Sequence, residues 1–308
     1  MDRLAAMTAF TRAVERGSFS AAARELGMQQ PTLSRLIAAL ERRLGGKLFT
    51  RSGRALAVTP EGRRFYAECR LIVQAAHDAE SSFGAARTEV AGDLRVASPV
   101  SFGRELLVSR MPAFLARYPR LCVDLQLSDG FVSLVGEGID LAFRVGVLTD
   151  DGVIARRVGT AHRVSVAAPA YLRRRGTPRR AEDLAHHDCI LYTGLATGAV
   201  WPYRRAGQVV NVPVAGRFRS NSSEAVRAAT VAGLGIALSP AWLFADDLAA
   251  GRVVPLLPDD IPEPLPIHAI CPPDRRASRK ITACVEFFHD AFAQDPWVAA
   301  SRPPQLSA

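Results

Sequence analysis

The chain has 308 residues, a mass of 33.2 kDa and a mean hydropathy of +0.07; at about 100–200 residues per domain this predicts roughly two domains. Its 48% hydrophobic and 22% charged residues exclude a largely disordered, collagen-like or disulfide-scaffold chain. The net charge of +9 is uneven: residues 1–70 hold 13 Lys+Arg against 6 Asp+Glu and residues 71–308 hold 26 against 24, the footprint of a small nucleic-acid-binding module on a near-neutral larger part.

From the N-terminus, Leu4, Met7, Phe10 and Val14 recur at helical spacing and predict a first amphipathic helix over residues 2–16, stopped by Gly17. Ser18 caps a short Ala-rich helix reaching Leu26, and Gly27 allows a tight turn. A third helix follows, with Gln29 or Gln30 near its cap and Pro31 in its first turn, where a missing N–H is harmless. Leu33, Leu36, Ile37, Leu40 and Leu44 form its predicted buried stripe, and Gln30, Thr32, Ser34 and Arg35 its opposite face. Two helices joined by a short Gly turn, the second presenting Gln, Thr, Ser and Arg near its start, make a helix-turn-helix. Gln and Arg suit bidentate contacts with adenine and guanine edges.

Two short strands around Ser52-Gly53 then predict a wing that sets Lys47, Arg51 and Arg54 beside a DNA backbone. Thr59 caps the next helix and Pro60 is its first residue. Along it Phe65, Cys69, Ile72, Ala76, Ala79 and Phe83 are spaced 4-3-4-3-4, a coiled-coil seam. The same stripe also fits a helix packed on its own domain; dimerisation is preferred because a helix-turn-helix monomer reads only one half-site.

The residues that carry a resemblance are now in place. They are Phe19-Ser20-Ala21-Ala22-Ala23-Arg24-Glu25-Leu26-Gly27, Gln30-Pro31-Thr32-Leu33-Ser34-Arg35, the run from Leu40 to Arg51 and Leu56-Ala57-Val58-Thr59-Pro60-Glu61-Gly62. This pattern resembles the LysR-type transcriptional regulators over about sixty residues in the expected order. Gln29 departs from it where the family usually has Ser, which bears on the operator and not on the fold.

In the larger part, strands at 94–98, 121–127, 139–144 and 162–168 alternate with helices at 102–118 and near 132–137, predicting an α/β domain with a largely parallel sheet. A second unit follows, with a helix near 222–232, a strand at 235–238 and a helix at 241–250. Residues 264–270 read as a returning crossover, 276–290 as a closing helix, and Pro296 onward as a frayed tail. The domains are read as 1–59 (winged helix-turn-helix), 60–91 (linker helix), 92–292 (two sub-domains, 92–162 with 268–292, and 163–267) and a flexible 293–308. This layout is similar to the family's effector domain, which itself resembles periplasmic solute-binding proteins.

Two sub-domains joined by two crossovers leave a cleft suited to a small effector, and helix N-termini after strand ends favour an anionic group there. The family resemblance, carried over onto this chain, implies Ser98, Pro99, Val100, Ser101 and Phe102, then Arg144, Val145 and Gly146, then Thr193, Ser220, Asn221, Ser222 and Pro240 as the residues that line it. Ser98 and Ser101 with nearby amides suit a carboxylate and Arg144 can pair with it; they also read as plain helix caps and a surface arginine.

Other signals carry less. The N-terminus lacks a signal peptide's apolar core, and the uncharged run 228–245 contains Gly233, Gly235, Ser239 and Pro240, which suits turns more than a membrane span. Five cysteines without C-x-x-C read as reduced thiols of a cytoplasmic protein. The adjacent His186-His187-Asp188-Cys189 cannot easily converge on one metal, and no catalytic or cofactor motif appears. The reading is a dimeric or tetrameric regulator of a pseudo-palindromic double-stranded operator, with RNA polymerase as a possible partner. A transport-related binding protein and a cleft enzyme are the rivals.

Overall fold

The computed structural model describes residues 2–52, 55–82, 90–130, 132–148, 152–195 and 198–299, except the side chains of 51, 52, 55, 74 and 77–82. The chain divides into two compact units, the larger beginning at Val90.

In the N-terminal unit, α1 (Arg3–Arg16) begins where Asp2 accepts the Leu4 and Ala5 amides at 3.0 and 3.2 Å. Ser18 caps α2 (Phe19–Glu25), and α3 (Gln30–Leu44) starts at Gln29. Between them Gly27 takes φ +63°, a conformation that costs glycine nothing and other residues strain. Small alanines (Ala6, Ala9, Ala22, Ala23) let the helices approach, and Phe10, Leu33, Ile37 and Leu40 fill the centre. Burying a side chain such as Phe10 contributes about 1.5–3 kcal/mol. Leu44 does not belong to the buried stripe: it is 45% exposed, because α3 ends there and Gly45 turns the chain away.

The wing is an antiparallel pair, β1 (Phe49–Ser52) and β2 (Ala55–Val58). Phe49 roots it in the core, edge-on to Phe10 at 5.5 Å and to Phe19 at 5.2 Å. The helix α4 (Pro60–Ser82) starts where Thr59 Oγ1 accepts the Gly62 amide at 2.8 Å. That hydroxyl also donates to the Lys47 carbonyl at 2.8 Å, tying helix to wing.

The C-terminal unit contains two five-stranded sheets. The first sub-domain begins with β3 (Ala91–Ser98) and α5 (Val100–Phe102). A π turn (Gly103–Leu107) and a 3-10 turn (Val108–Arg110) lead into α6 (Met111–Arg117). The predicted helix is thus irregular at mid-length, where Pro112 has no N–H to donate backwards. Then come β4 (Arg120–Leu127), β5 (Leu141–Val145) and β6 (Ile154–Ala161). The helix predicted near 132–137 is instead a run of turns, closed by Gly138 N–H to Val135 O and Ile139 N–H to Leu134 O.

The chain crosses at His162 into β7 (Arg163–Ala167), α7 (Pro169–Arg175), β8 (Cys189–Tyr192), the hairpin β9 (Val200–Arg205) and β10 (Gln208–Pro213), and β11 (Arg219–Ser220). Next are α8 (Ser223–Val231), β12 (Ile236–Pro240), a 3-10 turn (Ala241–Phe244), α9 (Ala245–Ala249), β13 (Val254–Leu256) and β14 (Ile261–Pro262). The return is β15 (Leu265–Cys271), followed by α10 (Arg279–Ala293).

The sheet orders are β4-β3-β5-β15-β6 and β11-β8-β12-β7-β13. Only β4-β3-β5 and β11-β8-β12 are parallel; β15, β6, β7 and β13 pair antiparallel. The sheets are therefore mixed, not largely parallel, because each crossover strand enters from the other sub-domain. Strand β6 and the β9–β10 hairpin are additions to the predicted elements.

One core spans both sub-domains: Phe102 packs on Phe143 and Phe292 from its own side and on Trp242 from the other, at 5.6–5.7 Å. The tail predicted from residue 293 is docked as far as 299. Val298 is fully buried, its carbonyl accepts the Thr160 amide at 2.9 Å, and Arg110 pairs with Asp295 just before it. An apolar Trp297-Val298 pair after a charged anchor explains this; residues 300–308 lie outside the described residues.

Candidate nucleic-acid interface and ligand site

The outward face of α3 carries Gln29, Gln30, Pro31, Thr32 and Arg35, all exposed, with Ser34 half-buried. Leu33, Ile37 and Leu40 hold the opposite side in the core, so the presented face is fixed by packing. Ser20 Oγ donates to Gln30 Oε1 at 2.9 Å, orienting that amide with its NH2 group left to donate. Arg35 Nε donates to the Pro31 carbonyl of its own helix at 3.3 Å, and among the described residues Arg35 makes no ion pair. By contrast Arg12 pairs with Glu15 at 2.8 Å and Arg16 with Glu25 at 2.5 Å.

Lys47 is exposed but not free: its Nζ reaches Glu41 Oε2 at 2.6 Å. Glu41 Oε1 accepts the Leu48 and Phe49 amides at 2.9 and 3.3 Å. Burial works to raise the Glu41 pKa, but the bonds from Lys47, Leu48 and Phe49 outweigh it and hold the carboxyl below its ordinary value. The wing root is thus an ion-paired hinge between α3 and β1. Arg54 and the Arg51 side chain lie outside the described residues.

The predicted dimerisation seam divides. Cys69 is fully buried and Phe65 stacks on Phe10 at 5.7 Å, so both pack inside their own unit. Cys69 is thereby closed to a partner chain, which corrects its assignment, while Phe65 meets α1 but keeps part of its surface exposed. Burial pushes the Cys69 thiol up to about 12, leaving it protonated and inert. Ile72 is 47% exposed and Ala76 half-buried. Phe83 and the Ala79 side chain lie outside the described residues.

In the larger unit, the carried-over residues gather at the ends of β3, β5, β8 and β12. Ser98 and Ser101 are buried, and Ser98 Oγ donates to the Pro99 carbonyl at 3.1 Å. Phe102 is a core aromatic with no exposed surface. Pro99, Val100 and Pro240 are half-buried; Thr193 and Asn221 are exposed. Arg144 Nη2 donates to the Val132 carbonyl at 2.9 Å, and the Gly146 amide to Pro266 O at 2.9 Å.

Two residues at this site are additions to the sequence reading. Asp129 follows β4 and reaches both sub-domains: Oδ1 accepts the Val100 amide at 2.9 Å, and Oδ2 accepts the Ser223 amide and hydroxyl at 2.9 and 3.0 Å. Burial first, and the Asp129 carboxylate second, push the nearby Tyr192 phenol up to about 12. Arg163 opens β7 opposite Pro240 and is buried; its Nε donates to Glu263 O at 2.6 Å, while among the described residues Nη2 has no hydrogen-bond partner. Burial pulls the Arg163 pKa down to about 10. An acidic residue after a strand and an arginine at a crossover belong to no motif, so only the fold could have marked them.

Among the described residues no group of His, Cys, Asp and Glu is arranged to hold a metal, and no helix is long and apolar enough to cross a membrane. His187 is engaged by Tyr171 at 3.1 Å, so this part of the His186-His187-Asp188-Cys189 run has a structural role.

The family model for the bacterial regulatory helix-turn-helix protein, lysR family, matches residues 4–63, and that for the LysR substrate binding domain matches 87–293. The regulator CrgA of Neisseria meningitidis serogroup C is 32% identical, aligned over 91% of this chain and 94% of its own. The uncharacterised regulator YhjC of Escherichia coli is 33% identical over 93% and 97%. The solved structure of CrgA, a LysR-type transcriptional regulator, superposes with a TM-score of 0.59 at 30% identity, covering 93% of this chain and 98% of that one. The CrgA regulatory domain solved by itself gives 0.59 at 28% identity, covering 66% of this chain and 99% of that one.

Proposed function

The chain belongs to the LysR family of transcriptional regulators, and we propose that it works in the cytoplasm as a dimer or tetramer whose operator binding is set by a small anion held between the effector sub-domains. That it is a DNA-binding regulator with an effector domain, and not an enzyme, follows from the family.

The observation that carries the DNA-reading assignment is the exposed start of α3. Gln29, Gln30, Thr32 and Arg35 sit on a helix whose other face is fixed in the core. In a major groove, Arg35 reads a guanine edge and Gln30 an adenine edge, while Ser34, Lys47, Arg51 and Arg54 serve the backbone. A two-fold dimer reads two half-sites, with the exposed stretch of α4 around Ile72 and Ala76 as its contact. Arg35→Ala is expected to lower specific affinity by about 1–3 kcal/mol and relax preference at one position. Footprinting and titration at two salt concentrations check this; an unchanged sequence preference removes Arg35 from the reading set.

For the effector, the donors at the sub-domain boundary support an anion. The Val100 and Ser223 amides and the Ser223 hydroxyl already accommodate a carboxylate, that of Asp129. Arg163 adds a buried cation with an N–H direction unused among the described residues. An effector changes DNA binding only by its different affinity for two arrangements of the protein. Calorimetry with candidate small acids on the wild type and on Ser98→Ala tests the site; equal affinity removes Ser98 from it.

A further inference from the structure

We propose that Asp129 is an intramolecular ligand: its carboxylate fills the donor cluster between the sub-domains, closes the domain without effector, and must be displaced by any effector carboxylate. This rests on the anionic-effector reading above and deepens it. Asp129 lies in the connection after β4 of the first sub-domain, and it joins partners that the sequence separates widely. Val100 starts α5 in the same sub-domain; Ser223 starts α8 in the other.

All three of its partners donate: two first-turn amides, which have no acceptor inside their own helices, and one hydroxyl. The two amides can only donate, and an ionised carboxylate supplies an accepting oxygen for each of them. The closure is supported alongside. Arg104 of the first sub-domain pairs with Glu224, the residue after Ser223, at 3.2 Å, and Phe102 meets Trp242 across the same boundary. An attached carboxylate competes with a free one at high effective concentration, so the apparent affinity for an external acid falls by the fraction of time the donors are vacant. The cleft therefore responds to an acid whose remaining contacts compensate for that competition, and not to any small carboxylate.

The experiment uses the full-length protein and sodium acetate, the carboxylate that Asp129→Ala removes, with sodium chloride at matched ionic strength as control. Amide hydrogen exchange is read at Val100 and Ser223. In Asp129→Ala both amides are expected to exchange about tenfold faster or more, the loss of charged hydrogen bonds, and acetate is expected to restore their protection. Asp129→Asn keeps the volume but has one accepting oxygen for the two amides, so one of them is expected to exchange faster, and acetate does not restore it. Wild type is expected to be insensitive to acetate.

Unchanged exchange at both amides in the two variants overturns the closure. Faster exchange without acetate rescue in Asp129→Ala overturns the donor cluster as a carboxylate site. A wild type as responsive as Asp129→Ala overturns the competition. If operator binding responds only to an uncharged or cationic effector, the anionic-effector reading fails while the exchange results at Val100 and Ser223 remain as evidence on Asp129.

Discussion

Glu41 shows how one side chain serves both charge and backbone. Its carboxylate gathers Lys47 and the amides of Leu48 and Phe49 at the point where α3 gives way to the wing. Glu41→Ala leaves two buried amides without an acceptor, at a cost of about 1–3 kcal/mol each. The folded pKa of Glu41 lies below its unfolded value, so the stabilisation is complete above the unfolded value and is lost as pH falls through the folded one. Denaturant melts at descending pH are expected to show a smaller acid loss for Glu41→Gln than for wild type. An equal loss would place the acid sensitivity elsewhere. In the sequence Glu41 is one charge among many; its role appears only once the wing folds back over it.

At the scale of elements, the joint between wing and α4 depends on Gly62. A Cβ there would lie 2.4 Å from the Leu48 carbonyl oxygen, which is backbone and cannot step aside cheaply. Gly62→Ala is expected to destabilise the unit by about 1–3 kcal/mol through overpacking. Gly46→Ala, with nothing within 4 Å, is the control and should melt close to wild type. The pattern Thr59-Pro60-Glu61-Gly62 is legible as a helix start, since caps and prolines act locally. Why it ends in glycine is not, because the clash is with a residue fourteen positions earlier. The seam on α4 divides for a related reason: spacing locates an apolar stripe, but Phe65 and Cys69 find α1 before any partner chain.

For the whole molecule, each unit has its own core, and the larger one corresponds to a domain that was solved by itself for CrgA. Deleting residues 1–88 is expected to abolish DNA binding and leave a cooperatively folding domain. Gel shift with circular dichroism checks both halves. Retained operator binding would dissociate the charge-rich head from DNA recognition. The +7 of residues 1–70 is also less uniform than its sum. Arg12, Arg16 and Lys47 are paired internally, whereas Arg35 makes no ion pair among the described residues. The net charge of this unit therefore overstates the number of unpaired cations it can offer to a phosphate backbone.

The sequence by itself determined the helix-turn-helix, the wing, the start of α4, the two-part α/β domain and the family, because periodicity, caps and turn residues act over a few positions. Tertiary structure decided what depends on distant neighbours. It made the sheets mixed, docked Trp297 and Val298, turned Phe65 and Cys69 inward, and buried Phe102 against Trp242. It also brought Asp129 within 3.0 Å of donors 29 and 94 residues away. Hydrogen bonds and close packing of that kind are set by where the chain crosses between sub-domains, which no local pattern encodes.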